Sequence, residues 1–277
     1  MRSRILWSSL LISALSTTAT VSEAQINTEK LRSKKAEEGF SGNVGTSVIL
    51  RQGNVNRLRV DASFRVQHET LQNAKSNTAT TAGDKTTKQL MFIVGELTFA
   101  EKDTANGTEV FINRSFTHAR YEYMIWPGFG PEVFSQIQYN QSIRLQFRAL
   151  GGLGLRWAAL ESEFADLYLG SGYMFEHEIL DVAEPNVETN HHRLTNYASL
   201  SVKFLDNKVG LLNTAYIQPR VDEFSDYRLI SDSILSFAVT KQLSLAVVFN
   251  LRYDSEPPPE VEENLDIELK NTIRFTF

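Results

Sequence analysis

Charged side chains of both signs occupy alternate positions in several segments of this chain, with apolar residues between them. In residues 57–69, for example, Arg59, Asp61 and Arg65 alternate with aliphatic and aromatic residues. Residues two apart share one face of a β-strand, so we expect these charges to line the interior of a barrel. The predicted lumen-lining residues are Arg59, Asp61, Arg65, Arg144, Arg148, Arg252, Asp254, Asp266, Glu268, Lys270 and Arg274. Ion pairs that fill and stiffen the interior are the favoured interpretation, and a narrow charge-lined pore is the alternative.

Residues suited to catalysis or metal binding are sparse. Ser115 and His118 are three positions apart, so on one strand they point to opposite faces, and a triad would have to assemble across strands. His191 and His192 lie near acidic residues, but no two ligands have a spacing that recurs in metal sites. We therefore expect no catalytic residues, no metal and no cofactor, and we expect that the protein is not an enzyme. The acidic segment 256–263 suits divalent cations shared with lipopolysaccharide phosphates.

The elements that would position these residues are strands. From residue 39 the chain breaks into short runs separated by Gly, Asn, Asp or Pro, and residues 265–277 show the clearest alternation. Residues 136–149 alternate in the same way and are predicted to form one strand. The predicted strands begin near residues 39, 57, 88, 108, 136, 153, 164, 191, 208, 227, 243 and 265. The fold class is therefore all-β, a transmembrane antiparallel up-and-down β-barrel of about 12 strands.

The amino-terminal residues differ from the rest. Arg2 and Arg4 precede an apolar stretch, residues 5–15, and small residues end the segment at Ala24. This layout predicts a signal peptide over residues 1–24, followed by a periplasmic lead-in over 25–38 and an outer-membrane barrel over 39–277. No later apolar run is long enough for a spanning helix, and lipid permits only helices or closed barrels to span it. The chain has no cysteine, so no disulfide framework holds it together.

Hairpin alternation predicts the two ends of the barrel. If residue 277 lies in the periplasm, long loops should fall outside and short turns inside. Residues 71–87 break this rule, because they fall on the periplasmic side; either a strand is missed there or the loop is an exception. The predicted outer loops are residues 180–190, 221–226 and 256–264, and the predicted inner turns are 206–208 and 241–242.

Five short motifs occur in a characteristic order. They are Gly39-Phe40-Ser41-Gly42, Gln52-Gly53-Asn54, Arg120-Tyr121-Glu122-Tyr123, Arg148-Ala149-Leu150-Gly151-Gly152-Leu153-Gly154 and Arg252-Tyr253-Asp254-Ser255. In this order they resemble the YdiY-like family of salt-induced outer-membrane proteins, also called domain of unknown function 481. The resemblance implies the barrel form and an outer-membrane location, with no activity or catalytic residue to carry over. Ile273, Phe275 and Phe277 look like the signal that barrel assembly machinery recognises, so this machinery and periplasmic chaperones are the implied partners.

Three functions follow as hypotheses. The first is an outer-membrane barrel, in contact with lipids and lipopolysaccharide, that has a structural role in the envelope or forms a narrow pore for small solutes. The second is a lipid-modifying enzyme on a barrel scaffold, and the third is a soluble lipocalin-like protein, which an exposed apolar stripe at Ile273 and Phe275 disfavours. The net charge of −5 and the pI near 5.6 argue against a nucleic-acid partner. The sequence does not predict an oligomeric state.

Overall fold

The fold is taken from a computed structural model of the chain. The structure describes residues 38–53, 56–73, 85–104, 107–182, 185–240, 242–257 and 263–275. The predicted signal peptide and nearly all of the lead-in lie outside these residues, as do positions 74–84 and Phe277.

The described residues form twelve antiparallel strands in one sheet, and each strand pairs with the next along the chain. The all-β, up-and-down architecture predicted from the alternation is thus confirmed. The strands are β1 (Gly39–Arg51), β2 (Arg57–Asn73), β3 (Lys85–Thr104), β4 (Gly107–Tyr123), β5 (Phe129–Asn140), β6 (Leu145–Glu161), β7 (Ala165–Leu180), β8 (Val187–Phe204), β9 (Val209–Pro219), β10 (Tyr227–Ala238), β11 (Leu243–Asp254) and β12 (Leu265–Phe275). Within the described part of the chain, no helix is long and apolar enough to cross a membrane.

The order of the strands defines two ends of the sheet. The connections β1–β2, β3–β4, β5–β6, β7–β8, β9–β10 and β11–β12 lie at one end, called here the upper end. The other five connections and the two ends of the described chain lie at the lower end. β2 ends at Asn73 and β3 begins at Lys85, and these two residues pair at the lower end, as the alternation of hairpins predicted.

The prediction of a single strand over residues 136–149 was wrong. A 3-10 turn, Gln141–Ile143, separates β5 from β6, and the Asn140 side chain accepts a hydrogen bond of 3.0 Å from the Ser142 amide. Arg144 leaves the turn with a φ of 55°, in the left-handed region that a polar turn residue tolerates. The alternation of polar and apolar residues continues through the turn, and neither glycine nor proline marks it. The turn was therefore not recognised from the sequence.

The glycines Gly151, Gly152 and Gly154, which in the sequence suggest a turn, lie inside β6. A Cβ on Gly152 would come within 2.6 Å of the Tyr173 carbonyl oxygen and 2.4 Å of the Phe134 ring. Glycine is needed here because a ring and a neighbouring backbone approach closely, and the chain does not turn.

The sheet is curved, so strands that are not neighbours meet through their inner side chains. The Tyr197 hydroxyl on β8 donates a hydrogen bond of 3.1 Å to Glu132 on β5, and Arg228 on β10 donates one of 2.8 Å to Glu176 on β7. The inner face is therefore a shared interior, and it is largely polar and charged.

The outer face of the sheet is mainly apolar. Leu153, at the centre of β6, is 64% exposed, and Leu155, Ile137, Ile267 and Leu269 are also exposed. Exposed aromatic residues concentrate toward the lower end of β4 to β8. They are Tyr121, Tyr123, Trp126, Trp157, Phe164 and Phe204.

Candidate functional site

The interior near the upper end is crossed by a group of ion pairs, called here the upper network. Arg228 on β10 reaches both Glu176 and Glu178 on β7, with nitrogen–oxygen distances of 2.8 and 3.3 Å, and it also contacts Asp254 on β11 at 2.9 Å. Arg148 on β6 pairs with Glu178 and lies 3.5 Å from Glu176. All five side chains are largely buried, so the network joins β6, β7, β10 and β11 away from water.

Arg193 connects the upper network to the β9–β10 loop. Its guanidinium lies 3.4 Å from Glu176 and 2.9 Å from Asp226, and its side chain is 2% exposed. Asp226 also pairs with Arg220 at 2.9 Å, and Arg220 reaches Asp222 at 2.8 Å. The loop is therefore fixed to the interior through two arginines.

Two aspartates of this loop have shifted pKa values. Burial raises the pKa of Asp226, but the hydrogen bonds and positive charges of Arg193 and Arg220 outweigh it, so the pKa lies below its ordinary value of 3.8. A hydrogen bond from Arg220 also lowers the pKa of Asp222, and the same bond raises the pKa of Arg220. The loop is thus held by groups that stay charged over the whole neutral range.

A second group, called here the lower network, lies deeper toward the lower end. Arg120 on β4 pairs with Glu132 on β5 at 3.2 Å, and Glu132 accepts the hydroxyl of Tyr197 on β8. Arg156 on β6 donates a hydrogen bond of 2.8 Å to the Tyr197 oxygen and lies 3.8 Å from Glu122, which is fully buried. Tyr197 on β8 thus joins two arginine–carboxylate pairs that lie on β4, β5 and β6.

Aromatic rings enclose the lower network. The Arg120 guanidinium lies 5.7 Å from the ring centre of Phe134 and 6.0 Å from that of Phe92. The His118 ring lies between the same two rings, at 6.3 and 5.9 Å between ring centres. Such cation–π contacts stabilise a desolvated charge, so the arginine is held in place by packing as well as by its carboxylate partner. Gly170, opposite Tyr197 in the register, leaves the room for that ring.

The space left between the two networks is small. Residues from both networks and His118 line a cavity of about 40 Å³. A cavity needs roughly 10–15 Å³ to hold one water molecule, so this volume suits a few waters and excludes a larger solute. The interior between β4 and β10 is therefore filled by side chains.

The structure places the predicted lumen-lining residues of β2 and β6 as follows. Arg59 is buried and pairs with Asp61 at 2.8 Å, and Arg65 donates a hydrogen bond to Gln67 at 2.8 Å. Arg148 lies in the upper network. Arg144 is a correction: it stands in the β5–β6 turn at the upper end, more than half exposed, because the chain reverses before it can extend into the interior.

The predicted residues of β11 and β12 lie on the inner face. Arg252 pairs with Asp232 at 2.8 Å and stands opposite the half-buried Asp266. Glu268 accepts a hydrogen bond of 2.8 Å from Asn250 and lies 2.7 Å from Lys270. Asp254 belongs to the upper network.

The residues predicted to line the lumen or to signal assembly near the carboxyl terminus lie only partly among the described residues. Ile273 is exposed on β12. The side chains of Arg274 and Phe275 and all of Phe277 lie outside the described residues, so the assembly signal stays a prediction.

Sequence reasoning missed most of both networks. In the upper network only Arg148 and Asp254 were predicted. The members that were missed are Arg193, Arg228, Glu176, Glu178 and Asp226. The lower network was missed entirely. The alternation of charged residues was present in both networks: Glu176 and Glu178 alternate on β7, and Arg120 and Glu122 alternate on β4. Aromatic neighbours made these segments look weaker as strands.

The residues considered for catalysis are not brought together. Ser115 faces outward and His118 inward, as the spacing predicted. Of the outer-face histidines, His192 bonds to Tyr173, and the His177 ring lies 3.0 Å from the Asn190 side-chain oxygen. Among the described residues no group of three metal-ligating side chains occurs.

The family model for "Protein of unknown function, DUF481" matches residues 44–277, which is most of the chain. No curated protein matches the chain.

Proposed function

This chain belongs to the DUF481 family, and we propose that it is an outer-membrane β-barrel with a structural role in the envelope. One observation carries the proposal: the usual distribution of polarity is inverted. Arginines and carboxylates fill the inner face, while aliphatic and aromatic residues are exposed on the outer face. A strand sheet with this pattern suits a lipid environment outside and a polar interior.

The outer surface supports a lipid environment. Soluble monomers rarely expose apolar patches of more than a few hundred Å². Here exposed aliphatic residues such as Ile137, Leu153 and Leu155 occupy the middle of adjacent strands, and aromatic residues such as Trp126 and Trp157 follow near the lower end. Aromatic rings favour the boundary between hydrocarbon and water, so this distribution suits a membrane interface at the lower end.

The filled interior favours a structural role over an open pore. The upper and lower networks cross the interior between β4 and β10 and leave a cavity of only about 40 Å³. A barrel of eight strands leaves no channel, and one of 16 to 18 strands leaves a wide one. Twelve strands fall between these limits, so the side chains inside decide whether a channel is open.

The first test separates membrane insertion from solubility. We expect the full chain to fractionate with outer membranes and to migrate differently on a denaturing gel before and after heating. Leu153→Arg places a charge at the centre of the outer face and should cost about 2–4 kcal/mol in lipid. Val221→Arg, in the exposed β9–β10 loop, is the matched control and should leave insertion unchanged. A Leu153→Arg protein that folds normally in water without lipid would contradict the proposal.

The second test concerns conductance of the purified protein in planar bilayers. We expect the folded wild-type barrel to be electrically silent, because the two networks cross the interior between β4 and β10. Discrete conductance steps would instead support the narrow pore, with the charged interior as its lining.

A further inference from the structure

Three cations stand side by side at the upper end of β1, β2 and β3. Arg51 on β1 is directly opposite Arg57 on β2, and Arg57 is directly opposite Lys102 on β3. Directly opposed residues on antiparallel strands lie on one face of the sheet, with Cβ atoms about 4.5–5.5 Å apart. The next position on β4 is Glu109, which pairs with Lys102 at 3.2 Å. This basic row therefore brings three positive charges and one negative charge to one edge of the sheet.

The arrangement contrasts with arginines elsewhere on the inner face. Arg148 is directly opposite Glu178, and Arg228 is directly opposite Asp254. Arg252 is likewise opposite Asp266. Like charges directly opposite each other destabilise a sheet, whereas opposite charges stabilise it. Arg193 does stand opposite another arginine, Arg220, but these two share the carboxylate of Asp226. The basic row differs because it aligns three cations across three strands.

A ring positions the two inner cations of the basic row. The Arg57 guanidinium lies 4.6 Å from the ring centre of Phe111, and the Lys102 ammonium lies 5.8 Å from the same ring. Contact with an aromatic face holds a cation without neutralising it. Because Arg57 and Lys102 share the ring, both charges are held close together before any ligand arrives.

The basic row lies beside a recess that is open to solvent. The recess has a volume of about 390 Å³ and is lined by the three cations and by two acidic residues. This volume falls within the range of small-molecule sites, about 300–1,000 Å³. Glu101 and Asp103 flank Lys102 on β3 and so start from the other face of the sheet, but both residues also line the recess. Asp103 is engaged by Asn56 and Thr108, at 3.1 Å in both cases.

We propose that the basic row binds a phosphate group. Two arginines and a lysine match the charge of phosphate, and the planar arginine fork matches its oxygen geometry. The phosphate belongs either to a small phosphorylated solute in water or to the headgroup of a phosphorylated lipid. The row lies on the inner face at the upper end, so it is at the rim of the barrel on the side of the outer leaflet if the chain spans the membrane as proposed above. Binding itself does not depend on membrane location.

The experiment uses the full chain folded in detergent micelles and in nanodiscs. Inorganic phosphate is titrated in micelles by calorimetry, and nanodiscs of phosphatidylethanolamine are compared with and without lipid A. Arg57→Gln removes the central charge, and Lys102→Gln is a second variant at the same site. Arg144→Gln is the matched control, because Arg144 is also an exposed arginine at the upper end, 4.0 Å from Asp181. Heat-dependent gel migration confirms that each variant is folded.

We expect Arg57→Gln to weaken phosphate binding about tenfold or more, the effect of losing a charge-assisted hydrogen bond, with Arg144→Gln unchanged. Saturable binding of inorganic phosphate that is lost in Arg57→Gln would identify a solute site. Binding that requires lipid A and is lost in the same variant would identify a headgroup site. Equal binding by Arg57→Gln and Arg144→Gln, or no saturable binding in either medium, would overturn the proposal. Conductance and membrane fractionation test the proposed function separately.

Discussion

Between β4 and β10 the inner face carries long charged side chains that meet across the interior, whereas at the centre of β1 to β3 water reaches the same face. Gly45, Ser63 and Glu96 lie opposite one another on three strands and all are exposed. Arg193 and Glu122, on the packed side, are nearly or fully buried. The difference shows that charge alone does not fill this interior. Long side chains with partners on distant strands close the space, and small residues leave it open.

The largest expected effect comes from breaking the upper network. Arg228→Met removes the cation that Glu176, Glu178 and Asp254 share, and it leaves buried carboxylates without that partner. We expect a loss of about 3–5 kcal/mol in the free energy of unfolding. Urea titration of the full chain in lipid vesicles measures it. Ser63→Ala, on the exposed inner face of β2, should change the free energy of unfolding by no more than about 0.5 kcal/mol. Similar losses in both variants would remove the distinction between the two regions.

A smaller effect is expected from filling a glycine site. A Cβ on Gly170 would lie 2.0 Å from the Tyr197 ring, which is held by Glu132 and Arg156. Gly170→Ala should therefore cost about 1–3 kcal/mol through overpacking. On β1 the nearest atom to a Cβ on Gly45 is the Ser63 hydroxyl at 3.0 Å, which can rotate away.

Gly45→Ala is thus the control, and it should be close to neutral. Thermal unfolding in detergent compares the two alanine variants. The double variant Gly170→Ala with Tyr197→Ala should cost less than the sum of its parts, because the clash disappears with the ring. Strict additivity would mean that the ring contact is not the cause.

The effect of pH on the β9–β10 loop should be smaller again. The pKa of Asp226 is lowered in the folded protein, so its contribution is fully present above the ordinary value of 3.8 and is lost as the pH falls through the lower folded pKa. We expect residues 220–226 to be protected from hydrogen exchange at neutral pH, and we expect this protection, taken relative to the intrinsic exchange rate at each pH, to fall below about pH 4. Asp226→Asn should remove this acid dependence. An unchanged acid response in that variant would assign it to other groups.

The smallest change in stability should accompany cysteine substitutions that report on water access. The chain has no cysteine, so a single introduced thiol is the only reactive one. Ser63→Cys should react rapidly with a charged thiol reagent, and Thr214→Cys, on the buried inner face of β9, should react slowly. Equal rates would show that the interior is equally wet in both regions.

Local pattern was enough to predict the strands. The polar and apolar alternation of residues 57–69 and 265–277 depends only on side chains two positions apart, which any extended backbone places on one face. The number of strands was right, although the starts predicted near residues 136 and 153 fall inside β5 and β6. Residues 136–149 were read as one strand, and Asn140 shows why: a side-chain cap made the turn without the glycine or proline that usually marks one.

The sequence by itself determined that this chain forms an antiparallel sheet of about 12 strands with one charged face, because that information repeats every two residues. Only the tertiary structure decided which charges meet. Arg228 reaches Glu176 from a strand three places away, and Tyr197 reaches Glu132 in the same manner. Such partners depend on the curvature of the sheet and on its register, which bring together residues that no local spacing relates.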